Sequence, residues 1–231
     1  MKNLIKILLC AILSASLFAS FDEPVNTVKM MDCVEVYEEE LLEGMQTEES
    51  TGTQETEYDE HVWTSPKNAV LISRAIEKNL CDIDPENAAS YQENASAYIA
   101  QLEMLDQNFR DFFAGVSNKT MVFGDRFPFR YFAEEYGLDC FAAFPGCSSE
   151  TEPSVATIAF LTDKVKSENI TTVFYIEFSN HQVADSIAEA AGAKTALFHS
   201  CHNVSEQEQR DGATYLSLME QNLNTLKEAL H

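Results

Sequence analysis

From residue 116 to the C-terminus the chain alternates short apolar runs with amphipathic stretches, and this alternation constrains the fold more than any other feature. Thr120–Phe123, Leu138–Phe144, Thr171–Ile176 and Lys194–Phe198 are brief runs rich in β-branched and aromatic residues, which predicts strands. Phe129–Tyr136, Val155–Ser167, His181–Ala191 and Gly212–Leu230 carry apolar residues at helical spacing. Four β-α units in a row imply an α/β fold: a four-stranded parallel sheet with helices on both faces. Before it, Ser65-Pro66 supplies a helix N-cap and first residue. Ala69, Ile72, Ile76 and Leu80, then Ala88 through Phe112, continue as a long helical spine, interrupted near Cys81–Asp84.

The N-terminus reads differently. Lys2 and Lys6 precede an apolar run, Ile7–Ala19, that gives way to small residues, the order of a secretory signal peptide over residues 1–20. The run is short for a bilayer-spanning helix, so export without a membrane span in the mature chain is expected, to the periplasm or the cell surface. Cys10 follows Leu8-Leu9 rather than a small residue and is not read as a lipid-attachment site. Five cysteines remain beyond the leader, an odd number without a C-x-x-C pair. A disulfide framework is therefore not expected, with a Cys140–Cys147 bridge the one candidate.

Charge removes several function classes. Fifteen Lys and Arg face 38 Asp and Glu, a net charge of −23. Such a surface repels phosphate backbones and concentrates cations, so nucleic acid is not an expected partner. Neither G-x-G-x-x-G nor G-x-x-x-x-G-K-[ST] occurs, which argues against nucleotide recognition by a glycine loop. No Lys or Arg lies between Met30 and Pro66, whereas twelve acids fall between Asp32 and Glu60. Its centre, Gln46–Glu57, reads as a mobile acidic loop, and Thr27–Tyr37 before it as one strand and a turn. The expected organisation is a leader (1–20), a short segment with the acidic loop (21–60), a helical spine (61–115) and an α/β lobe (116–231).

Ligands of parallel α/β sheets bind beyond the carboxyl ends of the strands. Those ends carry Gly124-Asp125-Arg126, Pro145-Gly146-Cys147, Glu177, and His199-Ser200-Cys201-His202, and His61 lies just ahead of the spine. A His/His/carboxylate set suits Zn²⁺, and more carboxylate shifts the preference towards Mn²⁺. Each residue has a plainer reading. His61 caps a helix or lies on the surface, Glu177 caps the helix after its strand, Asp125 and Arg126 form an internal ion pair, and Trp63 and Phe127-Pro128-Phe129 are core.

Two motifs sharpen the choice. Asp59-Glu60-His61-Val62-Trp63-Thr64-Ser65-Pro66 has the form D-x-H-x-W-x-x-P, and Asn68-Ala69 follows it. Asp84–Tyr98 has the form D-P-x-N-A-x-x-Y-x-x-N-A-x-x-Y. Together with Met121–Leu138, Val173–Gly192 and Gly212–Leu230, they resemble the metal-binding subunits of bacterial zinc and manganese ABC transporters, the ZnuA-like solute-binding proteins. The resemblance implies two α/β lobes joined by a long helix, a divalent metal cargo (Zn²⁺, with Mn²⁺ as the alternative), an ABC permease as partner, and no catalysis. It implies His61 as a metal ligand and places Glu177 at a strand-end glutamate that is a ligand in the manganese branch. His202 falls near a late acidic ligand, with His199 as a nearby substitute. The family's histidine after the first strand of this lobe has no counterpart, and Asp125 and Arg126 stand there instead. Only residues 21–60 separate the leader from His61, and none is histidine. The expectation is the linker helix plus the second lobe, with Val28–Val36 as a remnant of the first. Two other readings stand beside transport: a truncated scavenger or interaction protein, and a secreted zinc hydrolase with Glu177 or Asp125 as base.

Overall fold

The computed structural model describes residues 26–39, 41–45, 57–146 and 153–230. The expected leader (1–20), nearly all of the acidic loop and Cys147 lie outside the described residues, whereas Cys140 is a buried free thiol. The described helices are α1 (Pro66–Ile83), α2 (Ala88–Gly115), α3 (Arg130–Tyr136), α4 (Val155–Ser167), α5 (Gln182–Ala191), α6 (Glu206–Arg210) and α7 (Tyr215–Ala229). The strands are β1 (Thr120–Phe127), β2 (Asp139–Pro145), β3 (Thr172–Tyr175) and β4 (Lys194–Leu197). They form one parallel sheet in the order β2-β1-β3-β4. No described helix is long and apolar enough to cross a membrane.

The period-2 alternation of the strands sorts their side chains onto two faces. Phe123, Ala142 and Phe174 point into one core with Phe109 and Phe113 of α2, Phe132 and Tyr136 of α3, and Leu223 and Leu226 of α7. Val122, Phe141, Ala143 and Val173 point into the other, against Leu161 and Val165 of α4 and Ala184 and Ile187 of α5. Helices thus cover both faces, as the alternation of elements implied.

Three elements depart from the local reading. β1 runs eight residues, past the glycine that looked like its end, and its register with β2 shifts between Phe123 and Arg126. Gly124 is a packing residue: a Cβ there would lie 2.3 Å from Ala184 Cα, so α5 crosses β1 directly against bare backbone. Thr27–Tyr37 forms a 3₁₀ turn, Met30–Cys33, and the single bridge Glu38–Tyr58 follows it. Met31, Cys33, Val34 and Tyr37 are held there by packing on Val62, Ile72 and Tyr131 rather than by strand pairing. The interruption of the spine is a reversal. Cys81 Sγ reaches Ala88 O beside the turn, and Val70 of α1 meets Ile99 and Leu102 of α2 farther from it. Asp84 fixes this corner, accepting from Asn87 Nδ2 at 2.9 Å and from the Tyr91 hydroxyl at 2.7 Å, and Pro85 opens the next turn.

α6 is only five residues long and depends on its N-terminus. Ser205 Oγ accepts from the Glu208 amide at 3.2 Å, and Glu208 Oε2 accepts from the Ser205 amide at 2.7 Å, a reciprocal capping box. The Ser205 amide, then its hydroxyl, and more weakly His199, hold the Glu208 carboxyl below the usual carboxylate range.

Two outcomes are expected. Gly124→Ala forces the backbones of β1 and α5 apart and lowers stability by about 2 kcal/mol or more, read as a shifted urea midpoint at unchanged slope. Glu208 has a depressed folded pKa, so its contribution is present above the unfolded pKa and is lost as pH falls through the folded value. Glu208→Gln should therefore cost about 0.5–1 kcal/mol at neutral pH, a difference that closes as acidification takes the pH through the lowered folded value of the carboxyl.

Candidate metal centre

The first wall of the site is the turn before α1. His61 is the residue ahead of a 3₁₀ turn, Val62–Thr64, whose last amide and hydroxyl bond the His61 carbonyl at 3.1 and 2.8 Å. Its side chain caps nothing and is buried. Asp59 Oδ1 accepts from the His61 amide at 2.8 Å and lies 3.1 Å from His61 Nδ1. Asp59 is itself fastened through its main chain, its amide to Tyr37 O at 3.0 Å and its carbonyl to the Tyr131 hydroxyl at 2.6 Å. The end of β2 presses on the same ring. A Cβ on Gly146 would stand 3.1 Å from His61 Cε1 and 3.4 Å from Nδ1, so the glycine makes room for the imidazole.

The second wall is the loop after β4. Phe198 is fully buried, and Asn222 of α7 then clamps His199, accepting from its amide at 2.7 Å and donating to its carbonyl at 2.8 Å. Glu177, just past β3, takes the rest of the loop. Its carboxylate accepts from the Ser200 amide at 2.8 Å, from the Ser200 hydroxyl and from the His202 amide at 3.3 Å. Cys201, with φ +59°, places the turn between Ser200 and His202 in the left-handed region. Burial, then the charges of Glu177 and Glu208, push the Cys201 thiol up, so it stays protonated.

Trp63 joins the walls. Its indole N–H donates to Ser200 O at 3.0 Å, and its ring centre lies 5.4 Å from that of His61 and 5.5 Å from that of His202. The two imidazoles are themselves 6.2 Å apart, nearly perpendicular. The sequence reading placed Trp63 in the core. The signal available was its position, two residues after His61 in the D-x-H-x-W motif.

The five candidate ligands therefore fall into three groups. His61 and His202 face one another, His61 buried and His202 exposed. Glu177 adjoins them through the His202 amide and caps no helix. Asp125 is committed internally, and His199 through Nδ1 alone, its buried Nε2 making no hydrogen bond among the described residues. His199 is buried behind the loop, with Nδ1 accepting from the Cys201 amide at 2.9 Å and Nε2 3.5 Å from Glu208 Oε1. Asp125 is buried within the last part of β1, where it accepts from the Arg126 amide at 2.8 Å and from the Ile176 amide at 3.2 Å, its carboxylate 3.8 Å from the Arg126 guanidinium. Among the described residues no three His, Cys, Asp or Glu side chains are already gathered around one point. Carboxylates crowd the approach to His61: burial, then Asp59, Glu57 and Glu60, push the Glu39 carboxyl up. A cleft of about 630 Å³, lined by Met30, Met31, Val36, Tyr58 and Trp63 among others, opens beside the indole.

The family described as zinc-uptake complex component A, periplasmic (ZnuA), matches residues 14–229. The high-affinity zinc uptake system protein ZnuA of Bacillus subtilis is 34% identical over 172 residues, which are 74% of this chain and 53% of that protein. The zinc-binding lipoprotein AdcA of Streptococcus pneumoniae is 33% identical over 172 residues, 74% of this chain and 34% of its own length. The chain thus spans about half of the one relative and a third of the other. The crystal structure of the Zn(II)-bound ZnuA-like domain of S. pneumoniae AdcA superposes with a TM-score of 0.64 at 32% identity, covering 74% of this chain and 64% of that one. The metal-dependent lipoprotein YcdH of B. subtilis gives 0.66 at 34% identity, covering 75% and 64%. With nearly its whole length matched, the chain belongs to the ZnuA family of zinc-uptake solute-binding proteins.

Proposed function

We propose that the chain is an extracytoplasmic binding protein for a divalent cation, zinc, which it captures for uptake through an ABC permease. The observation that carries this reading is the pair His61 and His202, far apart in sequence but edge-on to one another with ring centres 6.2 Å apart, the Glu177 carboxylate holding the His202 amide. Two neutral imidazoles and a carboxylate are a donor set that favours Zn²⁺ over Mn²⁺. The pneumococcal domain that the chain resembles holds Zn(II), and the Bacillus relative serves zinc uptake. A leader over residues 1–20 accords with action outside the cytoplasm.

His61 and His202 are the ligands in this reading, and Glu177 joins them by giving up bonds to the Ser200 amide and hydroxyl or the His202 amide. An imidazole bound to zinc at about 2.0–2.1 Å places its ring centre roughly 3 Å from the ion, so two on one tetrahedral ion stand about 5 Å apart. The observed 6.2 Å requires a closure of about 1 Å, which the exposed His202 supplies more readily than the buried His61. Asp125 completes the set only by giving up an internal hydrogen bond, Ile176 N–H to Oδ2, whereas His199 can keep its Nδ1 bond to the Cys201 amide and offer Nε2, which is buried and makes no hydrogen bond among the described residues. A second reading is a scavenger that holds zinc without handing it to a permease.

Calorimetric titration of the metal-stripped protein, expressed without residues 1–20, tests the proposal. One equivalent of Zn²⁺ is expected to bind more tightly than Mn²⁺. His61→Ala and His202→Ala should each weaken zinc at least about tenfold, or 1.4 kcal/mol. The absence of zinc binding, or binding indifferent to both substitutions, overturns the metal centre. Retention of the cognate permease on zinc-loaded protein separates transport from scavenging.

A further inference from the structure

We propose that Asp59 is a positioning residue of the metal centre: its carboxylate sets the tautomer of His61, so that Nε2 carries the lone pair that meets the metal. The inference rests on the reading of His61 as a zinc ligand.

Asp59 Oδ1 lies 3.1 Å from His61 Nδ1, and both side chains are buried. An ionised carboxylate accepts hydrogen bonds and donates none, so the contact is made only when Nδ1 holds the proton. A neutral imidazole has one such proton, which leaves the lone pair on Nε2. The same oxygen also accepts from the His61 amide at 2.8 Å, which ties ring and backbone to a single atom. Asp59 does not move to make these bonds. Its amide and carbonyl are held by Tyr37 and by the Tyr131 hydroxyl, and the Tyr37 amide in turn donates to that hydroxyl at 3.2 Å. Gly146 packs on the Cε1–Nδ1 edge of the ring and blocks reorientation on that side. A carboxylate behind a metal-bound imidazole also raises the basicity of the ligating nitrogen, and loss of such a partner commonly costs 10- to 100-fold in metal affinity.

Asp59→Ala and Asp59→Asn separate the parts of this role, because both keep the main-chain bonds that fasten residue 59. Long-range ¹H–¹⁵N spectra of the metal-free protein at about pH 8, where histidine is ordinarily neutral, report the tautomer without any zinc. His61→Ala identifies the His61 signals. The wild type should show His61 protonated at Nδ1. Asp59→Ala should shift it towards the Nε2-protonated form and weaken zinc by about 10- to 100-fold. Asn keeps an acceptor but loses the charge, so Asp59→Asn should retain the Nδ1 tautomer and bind zinc with intermediate affinity. An Nε2-protonated His61 in the wild type overturns the inference, as does zinc affinity within twofold of wild type in Asp59→Ala while His61→Ala abolishes binding. If the wild type binds no zinc although His61 keeps the Nδ1 proton, the metal reading itself falls, and the positioning role falls with it.

Discussion

The Glu177 carboxylate gathers an amide and a hydroxyl from Ser200 and the amide of His202, and the shape of the site follows from that one group. Glu177 sits at the carboxyl end of β3, its side chain almost fully enclosed, so the bonds form away from bulk water. Charge-assisted hydrogen bonds of this kind are each worth about 1.5–3 kcal/mol, and a buried carboxylate without them is strongly unfavourable. The loop is thereby fixed to the strand that neighbours its own in the sheet. The Trp63 indole then reads the loop's geometry through Ser200 O, and His202 is presented to His61.

Behind that contact stands an aromatic core. Phe198, the last residue before the loop, touches Phe123, Phe129, Phe132 and Phe174, with ring centres 4.9 to 6.1 Å apart. Phe109 and Phe113 of α2 extend the cluster through Phe132 and Tyr136. Burial of such rings contributes about 1.5–3 kcal/mol each, well above the ion pairs on the surface. The network of Arg110 with Asp106 and Glu135, and of Lys67 with Glu135, joins α1, α2 and α3. It selects how the helices sit rather than supplying the energy that holds them.

Periodicity and strand-end logic made the sheet, its two helical layers and the neighbourhood of the site legible, because each depends on patterns local in the chain. What was not legible depends on contacts across it. Gly124 reads as a breaker until Ala184 is known to lie on it. Thr27–Tyr37 has strand-like composition, yet its partners are Val62, Ile72 and Tyr131, which no local pattern reveals. His199 and His202, three apart on one loop, are indistinguishable as ligands in the sequence. Their separation arises from the left-handed backbone at Cys201 and from Asn222, which draws His199 inward. Asp125 has the right chemistry at the right strand end, but the Ile176 amide has claimed one of its oxygens.

The last helix has a consequence for the lifetime of a captured ion. α7 touches both walls: Asn222 holds the His199 main chain, and the Tyr215 hydroxyl donates to Trp63 O at 2.8 Å. When α7 lifts, the His199 main chain and the Trp63 turn lose a shared support, and under the proposed zinc reading both walls loosen together. By mass action, an ion bridging the walls as proposed would protect the amides of α7 from exchange although none of them touches it.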